Sequence, residues 1–113
     1  MLIEQRVRTY VDTFSETNPR FAALSRKVAA AGRTAGPGEA GEYDMGRLLA
    51  EGIARAPELT RAGIRAGLER VKALPAATGR PGTLMGFGNW DRGALKGPYL
   101  VLREWRGGRS VEA

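Results

Sequence analysis

Residues 82–111 read GTLMGFGNWDRGALKGPYLVLREWRGGRSV, and they decide between an all-helical chain and a mixed one. Within them PYLVLREW (98–105) carries the aromatic and β-branched residues that suit a half-buried pleated strand. Arg106-Gly107-Gly108-Arg109 then reads as a hairpin turn, and Ser110-Val111 begins a last strand. Thr83-Leu84-Met85-Gly86-Phe87 reads as a shorter strand, and GNWDRGALKG (88–97) as a turn region. In that turn Asp91 can accept a hydrogen bond from its own backbone, and Gly93 can take a positive φ. Trp90 and Trp105 are expected to cover the apolar face of the hairpin.

Upstream the hydrophobic period lengthens from that of a strand to that of a helix. Ile3, Val7, Tyr10, Val11 and Phe14 fall on one helical stripe and predict a helix over 3–14. Asn18-Pro19 predicts a second start, with asparagine as N-cap and proline at the first helical position. That helix has Phe21, Leu24 and Val28 on its apolar face and ends near Ala31-Gly32. GRTAGPGEAG (32–41) reads as a flexible connector. A third helix is expected from about Glu42 to Arg55, its stripe formed by Met45, Leu48, Leu49 and Ile53, with Pro57 ending it. Thr60 is the natural N-cap of a fourth, with Leu59 and Ile64 as a hydrophobic staple. Ile64, Leu68, Val71 and Leu74 line its inner face, Arg61, Arg65, Glu69, Arg70 and Lys72 its outer face, and Pro75 stops it. The expected class is α/β, in this short chain α+β. About four helices precede a two- to three-stranded terminal hairpin, divided into a helical segment 1–31, the connector 32–41 and a portion 42–113.

The chain has 113 residues, enough for one domain, and an ordinary apolar share of 42%. It has no cysteine and no histidine. Disulfides, zinc–thiolate centres, cysteine nucleophiles, Ser-His-Asp triads and histidine-ligated metals are therefore excluded. Asp12, Glu16 and Asp44 show no spacing that would pair them as catalytic acids. The connector lacks the Lys-Ser/Thr of a phosphate loop. No enzyme, metal site or cofactor is expected. A net charge of +6 and a pI near 10.5 raise a nucleic-acid partner. Against it, Arg6, Arg8, Arg20, Arg26, Lys27, Arg33, Arg47 and Arg55 are scattered, and Glu69 interrupts Arg61, Arg65 and Lys72. No run of residues is apolar enough for a membrane span. The start, Met1 to Arg6, lacks the basic and apolar regions of a signal peptide, so the chain as written is expected in the cytoplasm.

The order of these features resembles the carboxyl-terminal end of type I periplasmic solute-binding proteins, the leucine/branched-chain amino-acid family of ABC importers. The resemblance rests on Trp90-Asp91, Arg92-Gly93, Lys96-Gly97, the strand to Trp105 and Gly107-Gly108. Upstream, Tyr43-Asp44 with Leu48 and Leu49 is similar to a family helix that opens with Tyr-Asp. Residues 40–111 carry it, and 1–31 fit more loosely. Members are periplasmic or cell-surface proteins of several hundred residues that hold an amino acid between two lobes. The resemblance implies a truncated, lobe-derived module without independent high-affinity binding.

In that setting Tyr43 would line a ligand cleft, and Glu42 or Asp44 would receive an ammonium group. Their structural alternatives are a half-buried aromatic at a helix start and acids that favour its positive end. Trp90, Asp91, Gly93, Gly97 and Trp105 would form the hinge-side hairpin. The strand 98–105 would present an unpaired edge in so short a chain, which predicts a homo-oligomer formed through it.

Overall fold

The computed structural model describes residues 8–113. The first described element is a strand, β1 (Thr9–Asp12), where a helix over 3–14 is expected; residues 3–7 of that expectation lie outside the described ones. Thr9, Tyr10 and Val11 are strand formers, and the partner that decides the matter is distant. β5 (Val101–Arg106) takes β1 antiparallel along its edge, Tyr10 opposite Arg103 and Val11 opposite Leu102. The Trp105 N–H extends the ladder to the Arg8 carbonyl at 2.8 Å. On its other side β5 pairs with β6 (Arg109–Glu112), the turn between them carrying Gly107 and Gly108 at positive φ. β5 is thus the centre of a three-stranded sheet. The edge from which an oligomer is expected is already filled from within the chain.

α1 (Pro19–Ala30) starts and stops where the sequence places it. Asn18 Oδ1 accepts from the N–H groups of Arg20 and Phe21, and Gly32 follows the helix at φ 78°. α2 (Pro37–Ala54) begins five residues earlier than expected. Pro37 pre-sets the helical φ, and the Gly36 N–H is taken by the Glu39 carboxylate at 2.6 Å. The connector therefore shrinks to residues 32–36, and Glu42 and Asp44 move from the first turn to the second. Its buried line also shifts, to Ala40, Asp44, Leu48 and Gly52. Of the expected stripe only Leu48 is inside, while Met45, Leu49 and Ile53 are 66%, 50% and 40% exposed.

α3 (Arg61–Glu69) is capped by Thr60, whose Oγ1 accepts from the Gly63 N–H at 3.0 Å. Leu59 stays exposed, so the expected staple does not form. The helix ends at Glu69, short of the stop expected at Pro75, and Ala73 turns the chain at φ 52°. Glycines bring α3 onto α2. A Cβ at Gly67 would strike the Gly52 carbonyl oxygen and lie 2.8 Å from the Ala56 nitrogen, and one at Gly52 would lie 2.5 Å from Leu68 Cδ2. Backbone atoms cannot swing aside, so Gly67→Ala should push the helices apart and cost about 3 kcal/mol in urea unfolding. A loss under about 0.5 kcal/mol would show that the crossing is looser.

The remaining strands are short. β2 (Leu74–Pro75), β3 (Leu84–Met85) and β4 (Leu95–Lys96) form a second antiparallel sheet in that order. The strand expected at 83–87 narrows to β3, and β4 lies inside the expected turn region. Among the described residues there are three helices and two three-stranded sheets, in place of four helices and one hairpin. The core has two clusters. Phe14, Phe21, Ala40 and Ala77 form one, with Tyr43 against it; Leu48, Val71, Ala76 and Met85 form the other, with Phe87 and Leu95 against it. The first cluster joins residues from 8–31 and 42–113, so both segments share it. No described helix is long and apolar enough to cross a membrane.

Candidate functional site

Residues 75–82, PAATGRPG, have the composition of a loop, and within them Ala76, Ala77 and Thr78 are buried. Small side chains let this stretch pass between the two core clusters, Ala76 belonging to one and Ala77 to the other. Burial of loop backbone demands partners for its N–H and C=O groups, and two buried side chains supply them. Asp44, 3% exposed on α2, accepts from the Ala77 N–H at 2.8 Å and the Thr78 N–H at 2.9 Å, one to each carboxylate oxygen. Asn18 Nδ2 points at the carbonyls of Ala76, Thr78 and Gly79, 3.0, 3.3 and 3.0 Å away. Its Oδ1 meanwhile caps α1. Gly79, at φ 83°, donates its N–H to the Thr13 carbonyl. A Cβ there would lie 2.9 Å from the Tyr99 Cα.

Asp44 is thus spent on backbone. Neither of its oxygens is left facing a cleft to receive an ammonium group. Glu42 is exposed. Tyr43 packs half-buried against the Phe14 cluster, with the Arg47 guanidinium 5.8 Å from its ring centre. The three adjacent residues point in three directions and do not converge on one ligand.

A second polar centre, missed at the sequence level, lies under the first sheet. Arg103 is 2% exposed and pairs with Glu16 through Nη2 to Oε1 at 2.5 Å and Nη1 to Oε2 at 3.1 Å. Nη1 also donates to the Phe14 carbonyl, Nη2 to the Ser110 carbonyl and Nε to Ser110 Oγ. The guanidinium carbon sits 4.9 Å from the Phe14 ring centre. Hydrogen bonding from Arg103 holds the Glu16 carboxyl below the usual glutamate range, and Glu16 in turn raises the Arg103 guanidinium. Alongside, Ser15 Oγ reaches Glu112 Oε2 at 2.6 Å. A recess of about 520 Å³ opens beside Glu16, lined by Phe14, Phe21, Ser25 and Arg26 among others. The carboxylate at its edge is already held by Arg103 from behind.

The hairpin residues divide. Trp105 stacks on Tyr10 at 6.0 Å between ring centres. Trp90, expected to pack on the same face, is instead 97% exposed. Asp91 accepts from the Gly93 N–H at 3.1 Å, as its turn role requires, and pairs with Lys96 at 2.6 Å. Lys96 and the Gly93 N–H hold the Asp91 carboxyl below its ordinary range. The left-handed turn falls at Gly97, φ 83°, and not at Gly93. Among the described residues no group of three or more Asp and Glu is placed to hold a metal ion.

Among the described residues, the arrangement locks loops and strand ends together through buried hydrogen bonds. No protein-family model, no curated protein and no solved structure matches this chain.

Proposed function

We propose that this chain is a scaffold module of the type I solute-binding-protein kind, related to amino-acid ABC transport, without an independent high-affinity ligand site. The observation that carries the reading is the fate of Asp44. One of the two acids expected to meet an amino acid's ammonium group is closed off under the 76–79 loop. The reading is supported by the order α2, α3, short strands and β5–β6 hairpin over the stretch 40–111 that carries the resemblance.

Two measurements test this. In thermal unfolding with 1 mM leucine, isoleucine or valine, the midpoint should move by less than about 1 °C. A ligand with a dissociation constant of 10 µM would add about 2.7 kcal/mol under those conditions, several degrees in a chain of this size. Co-expression with the amino-terminal portion of a leucine-binding protein, lacking the matching region, should restore leucine binding that neither part shows alone. A large shift with the chain alone, or no binding by the pair, would overturn the proposal. The alternative, a nucleic-acid partner, gains little from the charge pattern. Arg65 and Arg92 both turn to Glu69, and Lys96 to Asp91.

A further inference from the structure

The outward face of α2 is apolar where a solvated helix would be polar. Met45, Leu49 and Ile53, four residues apart, form a ridge that is 66%, 50% and 40% exposed. On one side of the ridge lies a groove of about 530 Å³, floored by Leu48, Leu68 and Phe87. Gly46 lines the same groove without a side chain, and Ala50 and Ala54 beside the ridge are small and exposed. A Cβ at Gly46 would meet nothing within 4 Å.

We infer that this face is where a second copy of the chain docks, α2 against α2 about a two-fold axis beside Leu49. A two-fold interface must be complementary to itself, and this patch carries both the projection and the recess. Rows four residues apart interdigitate in the commonest helix–helix packing. Charge selects the same face. The chain carries +6, so most pairings of two copies bring cations together, yet the exposed positions 42, 45, 46, 49, 50 and 53 are Glu, Met, Gly, Leu, Ala and Ile. Arg55 is held back by Glu51, and Arg47 by the Pro75 carbonyl. Antiparallel crossing also turns each Glu42 toward the far end of the partner helix, where Arg70 donates to the Arg55 carbonyl.

The chain has no cysteine, which allows a clean test. Leu49→Cys places one thiol beside the proposed axis. Leu102→Cys places one at 53% exposure on the outer face of the first sheet, as the control. Under mild oxidation Leu49→Cys should form a disulfide-linked dimer at least ten times faster than Leu102→Cys. In sedimentation equilibrium from 5 to 500 µM, the unmodified chain should reach the dimer mass. Leu49→Asp, at an exposed site that tolerates it, should raise the half-dimer concentration at least tenfold with an unchanged circular dichroism spectrum. Equal crosslinking rates, or faster linking through Leu102→Cys, would overturn the assignment. So would a monomer at 500 µM, the result expected if a different protein covers this face.

Discussion

Asp44→Ala is expected to remove about 4 kcal/mol of stability, a large part of what a domain of this size possesses. The carboxylate is the acceptor for two backbone N–H groups in a buried loop, and alanine leaves both without a partner. Each stranded donor costs about 2 kcal/mol, since water has no ready path to it. Asp44→Asn should lose about half as much, because one oxygen remains to accept while the new amide faces the second N–H. Urea unfolding with an unchanged m-value would read both. The contrast with a ligand-binding role is sharp. A residue kept for an ammonium group would be released from desolvation by the same substitution, and the protein would become no less stable. A loss under 1 kcal/mol for Asp44→Ala would mean that the 76–79 loop finds other acceptors, and would reopen the cleft reading of that residue.

What the sequence discloses and what it hides follow from the range of the interactions. The Asn18-Pro19 start, the Thr60 cap and the Gly107-Gly108 turn were legible, since each is settled by atoms within four residues. The Asp91–Gly93 turn was legible for the same reason. β1 was not. Its apolar residues fit a helical stripe as well as a strand, and the choice falls to β5, some ninety positions later. The α2 face was misread because periodicity finds a stripe but cannot say whether anything covers it. Gly52 lies on the buried line because Gly67 approaches there. Asp44 was a candidate, with Glu42, only as an acid near a helix start that could receive an ammonium group. Its partners, thirty-three and thirty-four residues away, were hidden in a stretch that composition marks only as loop. Trp90 shows the converse, an aromatic whose expected packing partner is met by Tyr10 and Trp105 without it.

Arg103 is the strongest case of a long-range decision, and its removal carries the other large effect. Alternation along β5 puts Val101, Arg103 and Trp105 on one face and Leu102 and Glu104 on the other. The face with the arginine turns inward. It can do so because Phe14, Glu16 and Ser110 supply oxygens to all three guanidinium nitrogens. Arg103→Met keeps volume but strands the Phe14 and Ser110 carbonyls, and should cost about 3 kcal/mol. Arg103→Lys should recover less than half of that, since an ammonium cannot fork to Glu16 while reaching Ser110. Glu16→Gln should cost only about 1 kcal/mol, because that side chain is 49% exposed and solvent screens the pair. The pair also fixes a sign for acid sensitivity. The Glu16 carboxyl titrates lower when folded, through its hydrogen bonds from Arg103. Its contribution is therefore complete above the usual glutamate value of about 4.3 and is lost as the pH falls through the lower folded value. Unfolding followed from pH 7 to pH 3 should show a shallower acid decline in Glu16→Gln than in the unmodified chain. Parallel declines would mean that Arg103 is held by the Phe14 and Ser110 oxygens alone, with the carboxylate a bystander at the surface.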